Sequence, residues 1–292
     1  MQRLGGVVIL FFPTTEVVEN ICSYVKHVET LIIFDNTPTE LNFTFQQILL
    51  QSNLKNITYI PNKLNIGIPK CLNQAATILR EQGLDWMLTM DQDSYFKEIT
   101  AVKYFEAFKN QSWKALNAGL ICLNFQRETN SSKHLLDNSY VPVNIAITSG
   151  SIVNLSILNK IGGFEEKLFI DEVDHEYCFR LLSNGYTIQC FHKLSLIHNL
   201  GSIKLKGYLW GLLEKKHRII HSPIRIYFMV RNYNFVSEKY GHLFKKEFST
   251  KKKQLYTTIK NNLLFSDKFF ETAKFIILGY FDFLNDNYSR KV

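Results

Sequence analysis

Asp91 and Asp93 stand one residue apart, directly after the apolar run 86–90. In extended backbone that spacing turns both carboxylates to the same side, where they can share one hard cation. Oxygen ligands of this kind suit Mg²⁺ or Mn²⁺, ions that keep open positions for phosphate oxygens. Taken alone, the triplet reads more readily as an acidic strand-end turn in which Asp93 caps the next helix. A second acidic cluster lies further on. If 171–183 is one helix, Asp171, Asp174, His175 and Cys178 follow i, i+3, i+4, i+7 and share a face. For the two aspartates the purely structural alternative is negative charge in the first turn complementing the helix dipole. Glu176 and Arg180 read as a surface i, i+4 pair worth roughly a few tenths of a kcal/mol. His198 closes the run 187–198. A lone histidine there is commonly a satisfied structural residue, and its weight comes from order: an acidic pair, an acidic helix, then a histidine, each at the end of an element.

The elements that must position these groups are legible in the patterning. Residues 6–12, 31–34, 57–60, 86–90 and 120–125 are strand candidates separated by segments with helical spacing, the pattern of an α/β fold with a mostly parallel sheet flanked by helices. Asp35-Asn36-Thr37-Pro38 makes a turn after the second strand, and Asn65-Ile66-Gly67-Ile68-Pro69 opens a helix over 70–80. Ligands of such sheets collect beyond the carboxyl ends of the strands, so Asp35 and the Asp91-Gln92-Asp93 triplet are expected to face one crevice. From about residue 140 the pattern predicts a strand over 144–153, a helix over 171–183 and a strand over 187–198. After Gly201 it reads as mostly helical and basic. The expected organisation is a catalytic domain over 1–200 and a helical C-terminal region over 201–292.

Composition bounds the partners. A chain of 292 residues, 46% apolar and 14% aromatic, has ample material for a large core. Its five cysteines (Cys22, Cys71, Cys122, Cys178, Cys190) form no CxxC pair and are odd in number, so they read as reduced core thiols rather than a disulfide framework or zinc site. The apolar run at 7–12 is shorter than a signal-peptide core, and no 18-residue apolar stretch occurs, which predicts a cytoplasmic protein without a membrane span. Residues 1–200 carry 16 Lys and Arg against 19 Asp and Glu, a net of −3; residues 201–292 carry 18 against 7, a net of +11. A basic segment of this kind can meet nucleic acid, an anionic bilayer or a diphosphate, or be a solvated face. No helix-turn-helix, zinc-finger or RNP pattern accompanies it, so no nucleic-acid partner is expected.

Taken in order, Asp35-Asn36, Asn65-Ile66-Gly67 with Asn73 downstream, Asp91-Gln92-Asp93-Ser94, Ser149-Gly150-Ser151, Gly162-Gly163-Phe164-Glu165, Val173-Asp174-His175-Glu176-Tyr177-Cys178-Phe179-Arg180 and His198 resemble the family 2 inverting glycosyltransferases of GT-A fold. Phe169-Ile170-Asp171-Glu172-Val173-Asp174-His175-Glu176 most resembles bacterial rhamnosyltransferases and related galactofuranosyltransferases. So does Ser222-Pro223-Ile224-Arg225-Ile226-Tyr227-Phe228-Met229-Val230-Arg231-Asn232. The resemblance covers roughly residues 5–285. It implies that Asp35 contacts the nucleotide base, that Asn65, Ser149 and Gly150 belong to the donor site, that Asp91 and Asp93 hold the metal on the donor diphosphate, and that His198 completes its coordination. Asp174 occupies the family's base position. Where the family usually has an acidic residue just before the base, this chain has Val173, so Asp171 stays open as an alternative. Asp174 is favoured by its spacing to Arg180.

The implied activity is inverting transfer of a sugar from a nucleotide diphosphate to a glycan or lipid-linked glycan in bacterial surface polysaccharide synthesis, O-antigen or capsule. dTDP-rhamnose is the first-choice donor, with UDP-hexose or UDP-galactofuranose as alternatives. From another class, a non-catalytic nucleotide-sugar or carbohydrate-binding protein of the same fold would share most of these motifs. The basic region, with Lys251, Lys252 and Lys253 and the apolar run 275–281, is expected on an anionic membrane surface, making the protein peripheral at the inner face of the cell membrane. Arg225 and Arg231 are candidates for the acceptor side, or a buried structural pair.

Overall fold

The computed structural model describes residues 2–38, 45–47, 49, 52, 54–126, 138–198, 203–206 and 216–290. The chain divides into two compact units, Met1–Glu166 with Val173–Asn199, and Lys167–Glu172 with Leu200–Val292.

In the first unit the strands β1 (Leu4–Leu10), β2 (Leu31–Asp35) and β4 (Trp86–Asp91) are buried along almost their whole length. Such continuous apolar runs belong to strands covered on both faces, which have no solvent side to alternate towards. With β3 (Ile57–Pro61), β5 (Ser94–Tyr95), β6 (Ala118–Gln126), β7 (Val141–Pro142), β8 (Ser151–Asn154) and β9 (Thr187–His198) they form one sheet in the order β3-β2-β1-β4-β8-β6-β9-β5, with β7 also on β9. β3, β2, β1 and β4 are parallel, as are β6 and β9. β8 runs antiparallel between β4 and β6. The helices of this unit are α1 (Glu16–Cys22), α2 (Ile68–Glu81), α3 (Glu98–Asn110), α4 (Leu155–Lys160) and α5 (Val173–Ser183). α2 carries Pro69 in its first turn, where the missing N–H costs nothing. It buries Leu72, Ala75, Ala76 and Leu79 at i, i+3, i+4 and i+7. Each of those leucines contributes roughly 1.5–3 kcal/mol.

The strand expected over 144–153 is confined to Ser151–Asn154; the residues before it are turns and bends that close on Gly150. α5 begins at Val173, two residues later than the periodicity predicts. Glu176 is not on the surface: its side chain is 0% exposed, and its carboxylate accepts from Arg180 Nη2 at 2.7 Å and Nε at 3.2 Å. Arg180 also donates to the Ile161 carbonyl at 2.8 Å. All five cysteines are free, but Cys22 is exposed rather than in the core.

The second unit contains β10 (Ile203–Lys206) paired antiparallel with β11 (Lys216–Ile219), where helix is expected, followed by α6 (Pro223–Tyr240), α7 (Lys245–Phe265) and α8 (Phe269–Leu284). Ser222 caps α6 by accepting from Arg225 N, and Pro223 follows at the first helical position. The same unit holds the segment 167–172. Phe169, Asp171 and Glu172 have φ of 62°, 60° and 64°, left-handed values that cost non-glycine residues about 1–2 kcal/mol each. Their hold is a buried amide: Asn232 Nδ2 donates to the carbonyls of Leu168 (2.8 Å), Ile170 (2.6 Å) and Asp171 (3.1 Å). Arg231, also buried, donates to Lys167 O at 2.9 Å. Arg225 pairs with Asp171 at 3.1 Å and Lys251 with Glu172 at 2.8 Å. Lys251 is therefore buried against a carboxylate and not part of a solvated basic face. Arg231 is the buried structural residue of its pair.

The buried Glu176–Arg180 pair yields a stability test. Arg180→Met removes the guanidinium paired with a fully buried carboxylate and should lower the unfolding free energy by about 3–5 kcal/mol, whereas adding Glu176→Leu should recover most of that loss. Urea unfolding of both variants reads this out; a single variant as stable as wild type would mean the carboxylate reaches water.

Candidate functional site

The carboxyl ends of β1, β2 and β4 lie side by side in parallel register, Leu10 opposite Asp35 and Ile9 opposite Asp91. This register brings the acidic groups of two separate sequence stretches to one edge. β4 ends on Asp91, and two residues later the chain re-enters the sheet as β5, where Ser94 pairs with His198 and Tyr95 with Ile197. That short antiparallel pairing delivers His198 to the aspartates. Ser94 Oγ lies 2.6 Å from His198 Nδ1, and Asp93 Oδ1 lies 3.3 Å from the same nitrogen. Asp91, Asp93 and His198 each offer a ligand atom within 4.8 Å of the others. Two carboxylates and one imidazole form a donor set that fits Mg²⁺ or Mn²⁺, and among the described residues this is the group able to hold an ion.

Neighbouring residues fix the triplet from behind. Gln92 Oε1 accepts from Phe11 N at 2.8 Å while its Nε2 donates to Phe11 O at 3.1 Å, and Asn20 Nδ2 donates to Gln92 O at 2.8 Å. The side chain between the aspartates is thus tied to the end of β1. Asp91 N donates to Ser149 Oγ at 3.2 Å. Gly150, next in sequence, has φ +79°, and a Cβ there would meet Leu123 Cδ2 at 2.8 Å. Its N–H donates to Thr89 O at 2.8 Å and its carbonyl accepts from Tyr104 OH at 2.9 Å. Ser149 and Gly150 accordingly pack the turn against β4 beneath Asp91.

Asp35 is fully buried, with Oδ1 accepting from Thr37 N at 2.9 Å and Oδ2 from Tyr59 OH at 2.6 Å. Burial, then this hydrogen bond, pushes the Tyr59 hydroxyl well above its usual pKa. Asn65 Oδ1 accepts from Gly67 N at 3.0 Å, forming the turn that opens α2. Asn73 clamps the 162–166 turn: its Oδ1 accepts from Phe164 N at 2.7 Å, and its Nδ2 donates to Phe164 O and Glu166 Oε1, both at 2.9 Å.

Asp174 lies in the first turn of α5, its side chain 23% exposed, with Oδ1 accepting from His175 N at 2.8 Å and lying 3.4 Å from His175 Nδ1. Asp171 does not share a helical face with it, because its left-handed backbone precedes the helix and Arg225 engages its carboxylate. Cys178, assigned to that same face, is buried with its sulfur against Ala146.

Sequence reasoning passed over Ser94 and Tyr59, the groups that orient His198 and Asp35. It also passed over Phe11 and Phe12, which stand 45% and 49% exposed just past the end of β1 with their rings edge to face at 4.6 Å. A hydroxyl next to a metal-type triplet was the available signal for Ser94. A cavity of about 1120 Å³ lies at the other end of the sheet, lined by Gln2, Trp86, Ala118 and Asn154 among others, and shares no residue with this cluster.

No protein-family model matches the sequence. The dTDP-rhamnosyl transferase RfbF of Shigella flexneri is 24% identical over 244 residues, covering 79% of this chain and 78% of that protein. The mannosyltransferase PcManGT from Pyrobaculum calidifontis, solved with GDP-Man and Mn²⁺, superposes with a TM-score of 0.55 at 13% identity, covering 97% of this chain and 87% of its own. GalNAc-T7, solved with UDP, GalNAc and Mn²⁺, gives a TM-score of 0.58 at 9% identity over 99% of this chain. Staphylococcus aureus TarS gives 0.51 at 11% identity over 90% of this chain. The chain spans only 43% of TarS and 58% of GalNAc-T7. It has the GT-A fold of these glycosyltransferases and, in sequence, is like a bacterial rhamnosyltransferase.

Proposed function

We propose that the protein is an inverting, metal-dependent glycosyltransferase that moves a sugar from a nucleotide diphosphate to a glycan or lipid-linked glycan acceptor in the synthesis of a bacterial surface polysaccharide. dTDP-rhamnose is the first-choice donor, supported by the likeness to the rhamnosyl transferase; UDP-hexose and UDP-galactofuranose are the alternatives. The observation that carries the reading is the convergence of Asp91, Asp93 and His198 at the carboxyl edge of the sheet.

Asp91, Asp93 and His198 would hold a divalent cation, which as a Lewis acid supplies stabilisation of the departing diphosphate. Ser94 holds the His198 ring from Nδ1, and Gln92 keeps the two aspartates in register with β1. The donor nucleotide lies along the edge formed by Asp35, Asn65, Ser149 and Gly150, with Asp35 and Asn65 acting through the turns they build. Asp174 is the base. The acceptor hydroxyl oxygen forms its bond to the anomeric carbon as the bond from that carbon to the diphosphate oxygen breaks. The electron pair leaves with the nucleoside diphosphate, and the hydroxyl proton passes to the Asp174 carboxylate. One displacement without a covalent sugar–enzyme intermediate inverts the anomeric centre.

Asp91→Asn and Asp93→Asn should each fold normally yet release nucleoside diphosphate on the order of 100-fold more slowly, with His198→Ala losing less rate but binding Mn²⁺ more weakly. The assay is Mn²⁺-dependent nucleoside diphosphate release from a panel of dTDP-rhamnose, UDP-galactofuranose and UDP-hexoses. Full turnover in excess chelator would rule out the metal role, and no release from any donor would favour a non-catalytic binding protein.

Asp174→Asn keeps the shape of the side chain and removes the proton acceptor, so transfer should fall about 10²- to 10⁴-fold while donor affinity stays within a small factor of wild type. Calorimetric titration with the donor and a transfer assay separate the two. If Asp171→Asn is the inactive variant and Asp174→Asn transfers, the base lies in the 167–172 segment instead.

A further inference from the structure

α8 is built the wrong way round for a helix that merely packs on its own unit. Its inward side carries Thr272, Gly279 and Asp282, all buried. Gly279 sits so close to α6 that a Cβ would lie 2.6 Å from the Tyr227 carbonyl oxygen, and Asp282 accepts from Tyr227 OH at 2.7 Å and Arg290 Nε at 2.8 Å. Small and polar groups therefore make the closest approach to α6, with Phe275 edge to face on Tyr227 at 6.3 Å beside them. The outward side holds the apolar residues: Phe270 is 85% exposed, Ile277 56%, Phe281 54% and Leu284 56%, with Phe269 and Tyr280 each 48% exposed beside them. Residues 270, 277, 281 and 284 recur at i, i+7, i+11 and i+14, one continuous stripe along a helix about 24 Å long. An exposed contiguous apolar face of this kind marks a surface meant to be covered.

The charges around the stripe select what covers it. Asp282 points inward, and Glu271, the other acidic residue of α8, pairs with Lys268 at 3.3 Å, while Lys274 stands exposed at the margin of the stripe. The region 201–292 as a whole carries a net charge of +11. Two copies of such a unit meeting face to face would repel, whereas an anionic surface attracts it. Aromatic and aliphatic side chains on one face with lysines at the border is the composition of a helix that lies in a membrane interface. Among the described residues no helix is long and apolar enough to cross a membrane.

We propose that α8 is an interfacial membrane anchor: it lies flat on an anionic lipid surface with Phe270, Ile277, Phe281 and Leu284 among the acyl chains and Lys268 and Lys274 at the headgroups. The inference stands apart from sugar transfer, since lipid binding is read without a donor.

The test is flotation of the full-length protein with vesicles of phosphatidylglycerol and phosphatidylethanolamine, and separately of phosphatidylcholine. Wild type should float with the anionic vesicles at low salt, remain behind with phosphatidylcholine, and bind less as the Debye length shrinks towards about 3 Å at 1 M salt. The triple variant Phe270→Gln, Ile277→Gln, Phe281→Gln should lose on the order of tenfold or more in binding, and Lys268→Gln with Lys274→Gln a smaller, salt-sensitive share. Because Phe270 is the most exposed of these residues, Phe270→Gln alone keeps the fold safe and should still weaken flotation several-fold at an unchanged melting temperature. The proposal is overturned if wild type ignores anionic vesicles at low salt, or if the triple variant floats like wild type. It is overturned in favour of a second copy if wild type stays off vesicles yet sediments as a dimer that the triple variant converts to monomer.

Discussion

Carboxylates that are to share a cation repel one another without it, so the scaffold must hold them together against their own electrostatics. Here the hold is a two-residue strand. The pairing of Ser94 with His198 fixes where β9 ends relative to β4, and through it the imidazole, the Ser94 hydroxyl and the Asp93 carboxylate converge on one nitrogen. The parallel strands supply the other coordinate, setting Asp35 and Asp91 one residue apart in register across β2, β1 and β4. The Gln92 side-chain amide locks the triplet to the end of β1, accepting from Phe11 N and donating to Phe11 O. A shift of β9 by one residue would turn His198 to the opposite face of the sheet and dissolve the cluster.

The same economy governs the approach to α5. The 167–172 segment spends three left-handed residues to reach the start of the helix that carries Asp174. Such backbone persists only where surrounding groups over-determine it, and Asn232 does this with one amide shared among three carbonyls. Arg225 and Lys251 neutralise the two acidic side chains of the segment. Two of the cations that make the C-terminal region basic are thus occupied with local structure, and the remaining positive charge is what a partner can meet.

Much of this is legible in the sequence where the cause is local. β1, β2 and β4 read correctly because fully covered strands are unbroken apolar runs, and α2 because its turn, proline and i, i+4 spacing agree. The acidic triplet is legible as a cluster at a strand end, although Gln92 and Asp93 form a turn and not the extended backbone that the spacing presumes. What escapes depends on distant residues. Asp171 fits the helical spacing of Asp174 and Cys178, but its conformation is set by Asn232, some sixty residues away, and no periodicity carries that information. Glu176 and Arg180 look like a solvated pair because an i, i+4 spacing is the same whether the helix face is wet or buried. Residues 145–147 form a short β-prone apolar run that reads as part of a strand, yet the turn under Asp91 needs the positive φ of Gly150. β10 alternates apolar and basic residues over Ile203–Lys206, but its partner Lys216–Ile219 has three basic-type residues before one isoleucine and shows no such period.

The central claim is that one divalent cation is held by Asp91, Asp93 and His198 together with the diphosphate of a nucleotide sugar. Crystals grown with Mn²⁺ and dTDP, with data collected at the manganese absorption edge, test it directly. The account predicts a single strong anomalous peak coordinated by these three side chains and by diphosphate oxygens. A peak elsewhere, or diphosphate bound at the carboxyl edge of the sheet with no metal beside these residues, would contradict it.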